Sequence, residues 1–256
     1  MQTPRVSLVM TVLNGARYIS EAIQSAVDQT FPDWELIIFD DGSTDRSQAL
    51  ARTCAKTDPR IRVVASEHVG RVEALNRAMA LATGIYVGWL DADDRLTPDC
   101  LAKTVAFLDQ HPMVGMVYTD YLNIDLNSRN PSLGHRTRTP YSPQALLTSF
   151  MVFHFRLFRR ELFTLVGGLD PETAFAEDYD FALKASEVAE IRHLLKALYC
   201  YRRHPDSTTS RHRYQQIVAS RIAIQHALNR RGLGDRYRVE LEIQGRYRIT
   251  RKDHRP

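Results

Sequence analysis

Hydrophobic residues in the first half of the chain follow two alternating patterns. Between short apolar runs, apolar residues recur every three to four positions, as in residues 18–27 and 71–82, which predicts amphipathic helices. We predict strands, covered on both faces, in four near-continuous apolar runs at residues 6–13, 34–39, 61–65 and 85–90. Repeated strand–helix–strand units predict an α/β fold with a mostly parallel sheet and helices on both faces.

The second half of the chain is less regular. Thr97-Pro98 predicts the start of a helix, with the threonine as cap and the proline at the first helical position. Residues 114–124 predict a further strand, and the polar residues 126–139 predict a mobile loop. Helical periodicity returns at residues 177–189 and 213–229.

Composition places the chain among globular proteins. Hydrophobic residues make up 44% and charged residues 25%, which excludes disorder as the main state. No apolar run approaches the roughly 18 residues of a membrane-spanning helix, and the N-terminus shows no export signal, so we expect a cytoplasmic protein. The scattered cysteines at positions 54, 100 and 200 predict reduced thiols rather than a disulfide framework or a zinc site.

Charge is distributed unevenly along the chain. Residues 201–256 hold 14 Lys and Arg against 5 Asp and Glu, whereas residues 1–200 hold 20 against 25. A basic tail on an acidic body favours contact with an anionic surface such as a membrane. A solvated helix with arginines on its wet face explains the tail equally well. The body contains no recognisable nucleic-acid-binding module, so we expect no nucleic-acid partner.

The most informative motif is Leu90-Asp91-Ala92-Asp93-Asp94, at the end of a predicted strand. Three carboxylates within four positions repel one another. A turn in which aspartates bond backbone amides needs only one or two of them. A divalent cation removes the repulsion, and Mg²⁺ or Mn²⁺ prefers a few carboxylates together with phosphate oxygens. The motif therefore favours a site for a metal and a phosphate over a purely structural turn.

Two further acidic segments lie at the end of a predicted strand and at the start of a predicted helix, where a ligand could bind. Asp40-Asp41-Gly42-Ser43 follows the second strand, at the sheet edge where α/β proteins bind ligands, although a helix-entry turn explains it equally well. Glu177-Asp178 opens a helix, where acids also favour the helix dipole, and a carboxylate there can act as a general base. The chain lacks GxGxxG and GxxxxGK[ST], which argues against a dinucleotide-binding fold and a P-loop ATPase.

The chain resembles family 2 inverting glycosyltransferases with the GT-A fold. The resemblance extends from about residue 5 to about residue 210 and rests on the order of five segments: residues 6–14, Gln29-Thr30-Phe31, Asp40-Asp41-Gly42-Ser43, Leu90-Asp91-Ala92-Asp93-Asp94 and Glu177-Asp178. It implies a Rossmann-like central sheet, a smaller acceptor-side region and a C-terminal helix. It also implies metal-dependent transfer of a sugar from a nucleotide-sugar donor, in first place a UDP-sugar, with inversion at the anomeric carbon.

The resemblance further implies roles for individual residues. Asp178 would be the catalytic base, with Glu177 on the acceptor side. Asp93 and His204 would bind the divalent cation, Mn²⁺ or Mg²⁺, although an ordinary surface histidine explains His204 equally well. Asp41 would contact the uracil ring, and Asp91 would lie by the ribose and diphosphate. The nucleotide sugar would be bound by Thr11, Leu13, Asn14, Asp40, Asp41, Arg71, Asp91 and Ala92.

The acceptor is expected between residues 126–139 and residues 150–158. There Phe153, His154 and Phe155 offer faces on which a sugar ring can stack, so His154 is assigned to the acceptor side. Simple packing in the core accounts for these aromatic side chains at least as well. The acceptor itself is expected to be a glycan or a lipid-linked sugar.

The sequence departs from the family pattern at two places. Leu13 replaces a tyrosine that commonly stacks on the base, which leaves the nucleotide undetermined. The QxxRW motif of processive synthases is absent, so we expect transfer of one sugar per encounter, of the kind used in bacterial polysaccharide biosynthesis. The alternative is a catalytically degenerate scaffold that binds a nucleotide sugar. Retention of Asp41, Asp91, Asp93 and Asp178 speaks against it.

We expect one glycosyltransferase domain at residues 1–210, followed by a basic helical tail at residues 211–256. Within the domain, residues 1–112 would form the nucleotide-sugar half and residues 113–210 the acceptor half. The tail suits peripheral contact with an anionic membrane on its inner, cytoplasmic face, where each cation contributes about 1 kcal/mol. Self-association of two copies through the C-terminal helix is left open.

Overall fold

A computed structural model describes residues 3–242 of the chain. Its centre is a nine-stranded sheet. The strands are β1 (Val6–Val12), β2 (Trp34–Asp41), β3 (Ile61–Ser66), β4 (Tyr86–Trp89), β5 (Arg95–Leu96), β6 (Val114–Ile124), β7 (Ser132–Leu133), β8 (Arg156–Arg159) and β9 (Glu190–Arg202). They lie in the order β3-β2-β1-β4-β8-β6-β9-β5, with β7 paired to β6.

Half of the sheet is the parallel unit predicted from the apolar runs. Strand β1 pairs in parallel with β2 and β4, and β2 pairs in parallel with β3. The other half is mixed, because β8 runs antiparallel to both β4 and β6, whereas β9 runs parallel to β6. Strand β9 has no simple alternation of apolar and polar residues, since its pairing with β6 shifts register three times. Because of that irregularity, a search for alternating apolar and polar residues does not detect strand β9.

Helices cover both faces of the sheet. They are α1 (Ile19–Val27), α2 (Ser47–Thr57), α3 (Arg71–Ala80), α4 (Cys100–Gln110), α5 (Arg160–Leu165), α6 (Glu177–Val188), α7 (Thr208–Arg211) and α8 (Arg213–Arg230). Apolar residues of α1, α2 and α4 pack in one core layer, and those of α3, α6 and α8 pack in the other. This arrangement confirms the predicted α/β architecture.

Helix α4 begins later than the sequence predicts. The predicted start was Thr97-Pro98, but the first helical residue is Cys100 and Asp99 is the N-cap. The amide of Thr97 donates to the carbonyl of Leu198 at 3.0 Å, beside the pairing of β5 with β9. Thr97 therefore belongs to the end of the sheet rather than to the helix cap.

Helix α8 packs firmly against α6. Its Ala219, Ala223 and Ala227 are buried in the shared core layer. At its end, Arg230 and Arg231 pair with Glu187 of α6 at 2.7 and 3.2 Å. No helix among residues 3–242 is both long and apolar enough to cross a membrane. Residues 243–256 of the predicted basic tail lie outside the described residues.

Candidate functional site

The carboxyl ends of β1, β2 and β4 open into one cavity of about 1580 Å³. The wall opposite these strand ends comes from residues 135–139, from residues 148–156 and from the start of α6. Helices α7 and α8 complete the cavity. Every residue predicted to bind a ligand lines it, except Asp40 and Phe155, and Phe155 is fully buried in the core. The topology therefore gathers segments that are far apart in sequence.

The turn after β1 is organised by Asn14. Its backbone adopts φ +55°, a left-handed conformation that asparagine tolerates better than most residues. The side-chain oxygen of Asn14 accepts hydrogen bonds from the amides of Thr44 at 2.8 Å and Asp45 at 3.2 Å. The turns after β1 and β2 are thereby joined. Leu13, with 47% of its surface exposed, is presented at the cavity wall beside Thr11.

Asp40 and Asp41 have different surroundings because successive strand residues point to opposite faces. Asp40 is buried under the turn and accepts from the amide of Ser43 at 2.8 Å. Asp41 reaches the cavity wall, where its carboxylate accepts from the amides of Val69 at 2.7 Å and Gly70 at 3.1 Å. Gly70 has φ +90°, a conformation that glycine adopts without strain. Asp41 thus fixes the loop that precedes α3.

Arg71 joins the acidic turn after β4 to the start of α6. Its Nη2 donates to Asp91 at 2.7 Å and its Nε donates to Glu177 at 2.6 Å. Burial alone would raise the pKa of Asp91, but the positive charge of Arg71 outweighs it and lowers that pKa to about 2. Asp91 is therefore an anion in the cavity near pH 7. The second oxygen of Glu177 is buried and accepts no hydrogen bond from the described residues.

Asp93 lies against His204, the other residue of the predicted metal site. Its Oδ2 is 2.8 Å from Nε2 of His204. The histidine ring is almost completely buried beside Tyr18, with ring centroids 5.1 Å apart. The Nδ1 atom of His204 has no hydrogen-bond partner among the described residues. A carboxylate oxygen and an imidazole nitrogen thus lie in contact at the cavity wall.

Asp94 is buried below the same turn. Its Oδ1 accepts from the amide of Arg202 at 2.7 Å. Burial, together with the negative charges of Asp93 and Asp91, raises the pKa of Asp94 well above its usual value. Asp94 is therefore the acid of this turn that releases its proton least readily.

The donor atoms of this turn suit a divalent cation. Carboxylate oxygens with one imidazole nitrogen form a ligand set that Mn²⁺ accepts, with phosphate oxygens completing the shell. Asp93 and His204 supply one such pair. Asp91, Asp94 and His154 supply a second group, in which one potential ligand atom from each residue lies within 4.8 Å of the others. The proximity of these ligand atoms fits a cation at either place.

His154 is a neutral, aromatic part of the cavity wall. Its ring stacks on Tyr199 at 4.7 Å between centroids and on Tyr201 at 5.7 Å. Burial lowers the pKa of His154 to about 4, with Arg156 acting in the same direction. Near pH 7 the ring is therefore uncharged and retains one donor and one acceptor nitrogen.

Asp178 is the more accessible of the two acids at the start of α6. Its side chain is 26% exposed, and its Oδ2 accepts from Nη1 of Arg156 at 3.1 Å. The other oxygen of Asp178 accepts no hydrogen bond from residues 3–242. Arg156 is held in turn by the carbonyl of Val152 at 3.0 Å. The unpaired oxygen of Glu177 is buried, so Asp178 is the acid of this pair that exposes its carboxylate to a ligand.

Two buried arginines that support the site were not predicted. Arg156 orients Asp178, and Arg202 bonds the backbone of the acidic turn. Single arginines in strands carry no spacing signal. The position of Arg202 two residues before His204, in the segment Tyr201-Arg202-Arg203-His204, is the one sequence feature that could have drawn attention to it.

Comparison with solved structures identifies the fold. A crystal structure of residues 1–349 of S. aureus TarS in complex with UDP-GlcNAc matches 88% of this chain and 67% of its own, with a TM-score of 0.73 and 22% identity. The mannosyltransferase PcManGT from Pyrobaculum calidifontis, in complex with GDP-Man and Mn²⁺, matches 90% of this chain and 65% of its own, with a TM-score of 0.65 and 22% identity. The GT-A fold predicted from the motifs is confirmed.

Comparison of sequences identifies the family. The hyaluronan synthase of Pasteurella multocida is 31% identical over 232 residues, which are 91% of this chain and 24% of that protein. The chain thus spans about a quarter of the length of this relative. The family model described as Glycosyl transferase family 2 matches residues 7–166. The chain therefore belongs to glycosyl transferase family 2.

Proposed function

We propose that the chain transfers a single sugar from a nucleotide-sugar donor to a hydroxyl group of a glycan or lipid-linked acceptor, with inversion at the anomeric carbon. The observation that carries this proposal is the geometry around Arg71. Arg71 holds the acidic turn at Asp91 and the start of α6 at Glu177 in one cavity, next to the free oxygen of Asp178. The anomeric carbon of a donor bound at the acidic turn would thereby lie near the general base.

Relatives support a nucleotide sugar as the donor. Solved structures with this fold hold UDP-GlcNAc and GDP-Man, and similar sequences carry the names hyaluronan synthase and chondroitin synthase. We place a UDP-sugar first, and both hexosyl and N-acetylhexosaminyl groups fit this reading. Thr11, Asn14 and Asp41 would surround the nucleoside. Leu13 would offer an apolar face in place of a stacking ring.

Asp93 and His204 would hold the divalent cation, Mn²⁺ or Mg²⁺. When bound, the cation neutralises negative charge that develops on the departing nucleoside diphosphate. Asp91 and Ala92 would lie beside the ribose and the diphosphate. Arg71, whose side chain is 42% exposed, lines the same cavity and would contribute a second positive charge to the diphosphate.

Asp178 would act as the general base. The acceptor oxygen bonds to the anomeric carbon while the bond from that carbon to the phosphate oxygen breaks, and the acceptor proton passes to Asp178. Arg156 fixes the carboxylate through Oδ2 and leaves the other oxygen free to receive the proton. A single displacement from the face opposite the leaving group inverts the anomeric centre. One carboxylate is enough, because a diphosphate departs without the acid that glycosidases require.

The acceptor would lie between residues 126–139 and residues 150–158, with His154 and Glu177 at its side of the cavity. The first turns of α8 also line this wall, so we assign them to the acceptor half, although they lie in the segment expected as a tail. A cytoplasmic protein with a basic tail would reach a lipid-linked acceptor from an anionic membrane surface. Flotation with liposomes tests this contact, and equal binding to neutral and anionic lipid would exclude it.

Turnover of UDP-sugars with Mn²⁺ tests the proposed reaction. Release of UDP is measured with a panel of glycan acceptors, and proton NMR assigns the anomeric configuration of the product. A product of inverted configuration supports the proposal. Retention of configuration would exclude single displacement. Tight donor binding without turnover for any acceptor would favour the scaffold alternative.

A further inference from the structure

Arg202 ends strand β9, and its side chain is fully buried. We propose that Arg202 is a positioning residue that couples the acidic turn at residues 91–94 to the acceptor-side segment at residues 125–139. Binding of the nucleotide at the turn would then order the wall where the acceptor docks. The inference rests on the proposed donor site and names the residue that links this site to the acceptor wall.

One face of Arg202 holds the acidic turn. Its amide donates to Oδ1 of Asp94 at 2.7 Å, and its Nε donates to the carbonyl of Asp93 at 2.7 Å. The carboxylate of Asp93 is left to face His204. The conformation of the turn thus depends on where this single arginine lies.

The other face of Arg202 holds the start of the acceptor-side segment. Its Nη1 donates to the hydroxyl of Ser128 at 2.8 Å and to the carbonyl of Asp125 at 3.3 Å. Its Nη2 donates to Glu21 of α1 at 2.7 Å, and the hydroxyl of Ser128 donates to the same glutamate. The guanidinium also lies 4.6 Å from the ring centroid of Tyr18.

These contacts make a rigid link rather than a flexible one. The guanidinium is planar and its donors are fixed relative to one another, so a shift of one partner displaces the others. The segment beyond it is a tight turn, in which the carboxylate of Asp125 accepts from the amides of Asn127 and Arg129, both at 2.9 Å. The same segment carries His135 and Arg136, which line the cavity. A change at Asp93 is therefore transmitted to the acceptor wall.

Hydrogen exchange of the full chain, with UDP and Mn²⁺ as the probe, tests this link. In the wild type we expect the probe to slow exchange in peptides covering residues 125–139 by about fivefold or more, the lower end of ordinary coupling between sites. Ser128→Ala removes the contact on the segment side and leaves both contacts with the turn. It should still bind UDP but lose the slowing. Arg202→Lys keeps the positive charge but not the planar set of donors. It should also lose the slowing of exchange by UDP.

Ser132→Ala is the matched control, because this serine lies in the same segment and its hydroxyl makes none of these contacts. It should respond like the wild type. A second comparison needs no ligand: Ser128→Ala, but not Ser132→Ala, should speed exchange in peptides covering residues 91–94. Wild-type behaviour of Ser128→Ala in both comparisons would overturn the proposal. If UDP binds no form of the protein, the proposed donor site fails, and the ligand-free comparison still decides the link.

Discussion

Oδ2 of Asp93 lies 2.8 Å from Nε2 of His204, although 111 positions separate the two residues in the chain. The sheet brings them together, because β5, just after the acidic turn, pairs antiparallel with the end of β9, just before His204. Two motifs that the sequence presents separately therefore bring a carboxylate oxygen and an imidazole nitrogen into contact. This pair is the basis of the proposed cation site.

Asp93→Asn and His204→Gln should each remove the effect of Mn²⁺ on UDP binding. Each variant replaces one ligand group by an uncharged amide of similar length, and we expect a loss of at least about tenfold in metal-dependent affinity. Titration calorimetry with UDP, in Mn²⁺ and in EDTA, measures the effect. Asp99→Asn, a half-exposed acid outside the cavity, is the control. If His154→Gln abolishes the Mn²⁺ effect and both other variants retain it, the cation belongs to Asp91, Asp94 and His154.

The parallel half of the fold was predictable because its signals are local. Strands β1 to β4 are apolar runs, and the helices between them have a 3.6-residue period. Each element can therefore be recognised from about ten consecutive residues. Strand β8 begins with Arg156, a buried charge that no strand pattern anticipates, and β9 changes register along its length. Both depend on partners elsewhere in the chain, which a single sequence does not show.

Asp178→Asn should reduce turnover by about 10² to 10⁴-fold, the usual contribution of a general base. The amide keeps the hydrogen bond from Arg156 through its oxygen but cannot take a proton. The Michaelis constant for the donor should stay near the wild-type value. Asp28→Asn, at the exposed end of α1, controls for loss of a surface charge. Steady-state kinetics decide the matter, and near wild-type turnover of Asp178→Asn would exclude this residue as the base.

Arg71→Met should destabilise the fold by about 1–3 kcal/mol, the cost of leaving a buried acceptor unsatisfied. The variant removes the guanidinium that bonds Glu177, whose side chain is buried. Arg77→Met, on the same helix, breaks an exposed pair with Glu73 and should cost less than about 0.5 kcal/mol. Urea unfolding compares them. Equal losses for the two variants would show that the Arg71 bridge does not stabilise the fold.

His154 should make the protein less stable in acid. Its pKa is about 4 in the folded state against 6.5 in the unfolded state, so between these pH values the unfolded chain binds a proton that the folded chain does not. Its contribution to the free energy of unfolding should therefore fall by up to about 3 kcal/mol as the pH falls from 6.5 to 4.

The measurement compares unfolding free energies at pH 7 and pH 4.5 for the wild type and His154→Gln. Asp94, with its raised pKa, changes stability in the opposite direction in both proteins, so the difference between them reports on His154. Asp91, with a pKa of about 2, loses its stabilising effect only below this range. His135→Gln, an exposed histidine, should behave like the wild type. An unchanged pH dependence in His154→Gln would contradict the assignment.

The candidate site was predictable where its residues stand in motifs. Asp91, Asp93 and Asp178 stand in acidic segments that follow a strand or open a helix, the family resemblance singles them out, and all three line the cavity. Asp40 shows the limit of this reasoning. In the sequence it is indistinguishable from Asp41, but the alternation of strand β2 turns it inward under the turn. Arg202 stands in no motif that the sequence analysis used, and its contacts exist only in the folded chain.

The most direct test of the account is whether the cavity binds a nucleotide sugar with the help of a metal. Thermal unfolding is measured with UDP-, GDP-, dTDP- and CDP-sugars, each in Mn²⁺, Mg²⁺ or EDTA. A ligand at 100 times its dissociation constant adds about 2.7 kcal/mol to stability, which is readily visible as a shift in Tm. We predict a shift for the UDP-sugars in Mn²⁺ or Mg²⁺ that EDTA removes. No shift with any nucleotide sugar, in any metal, would contradict the central claim.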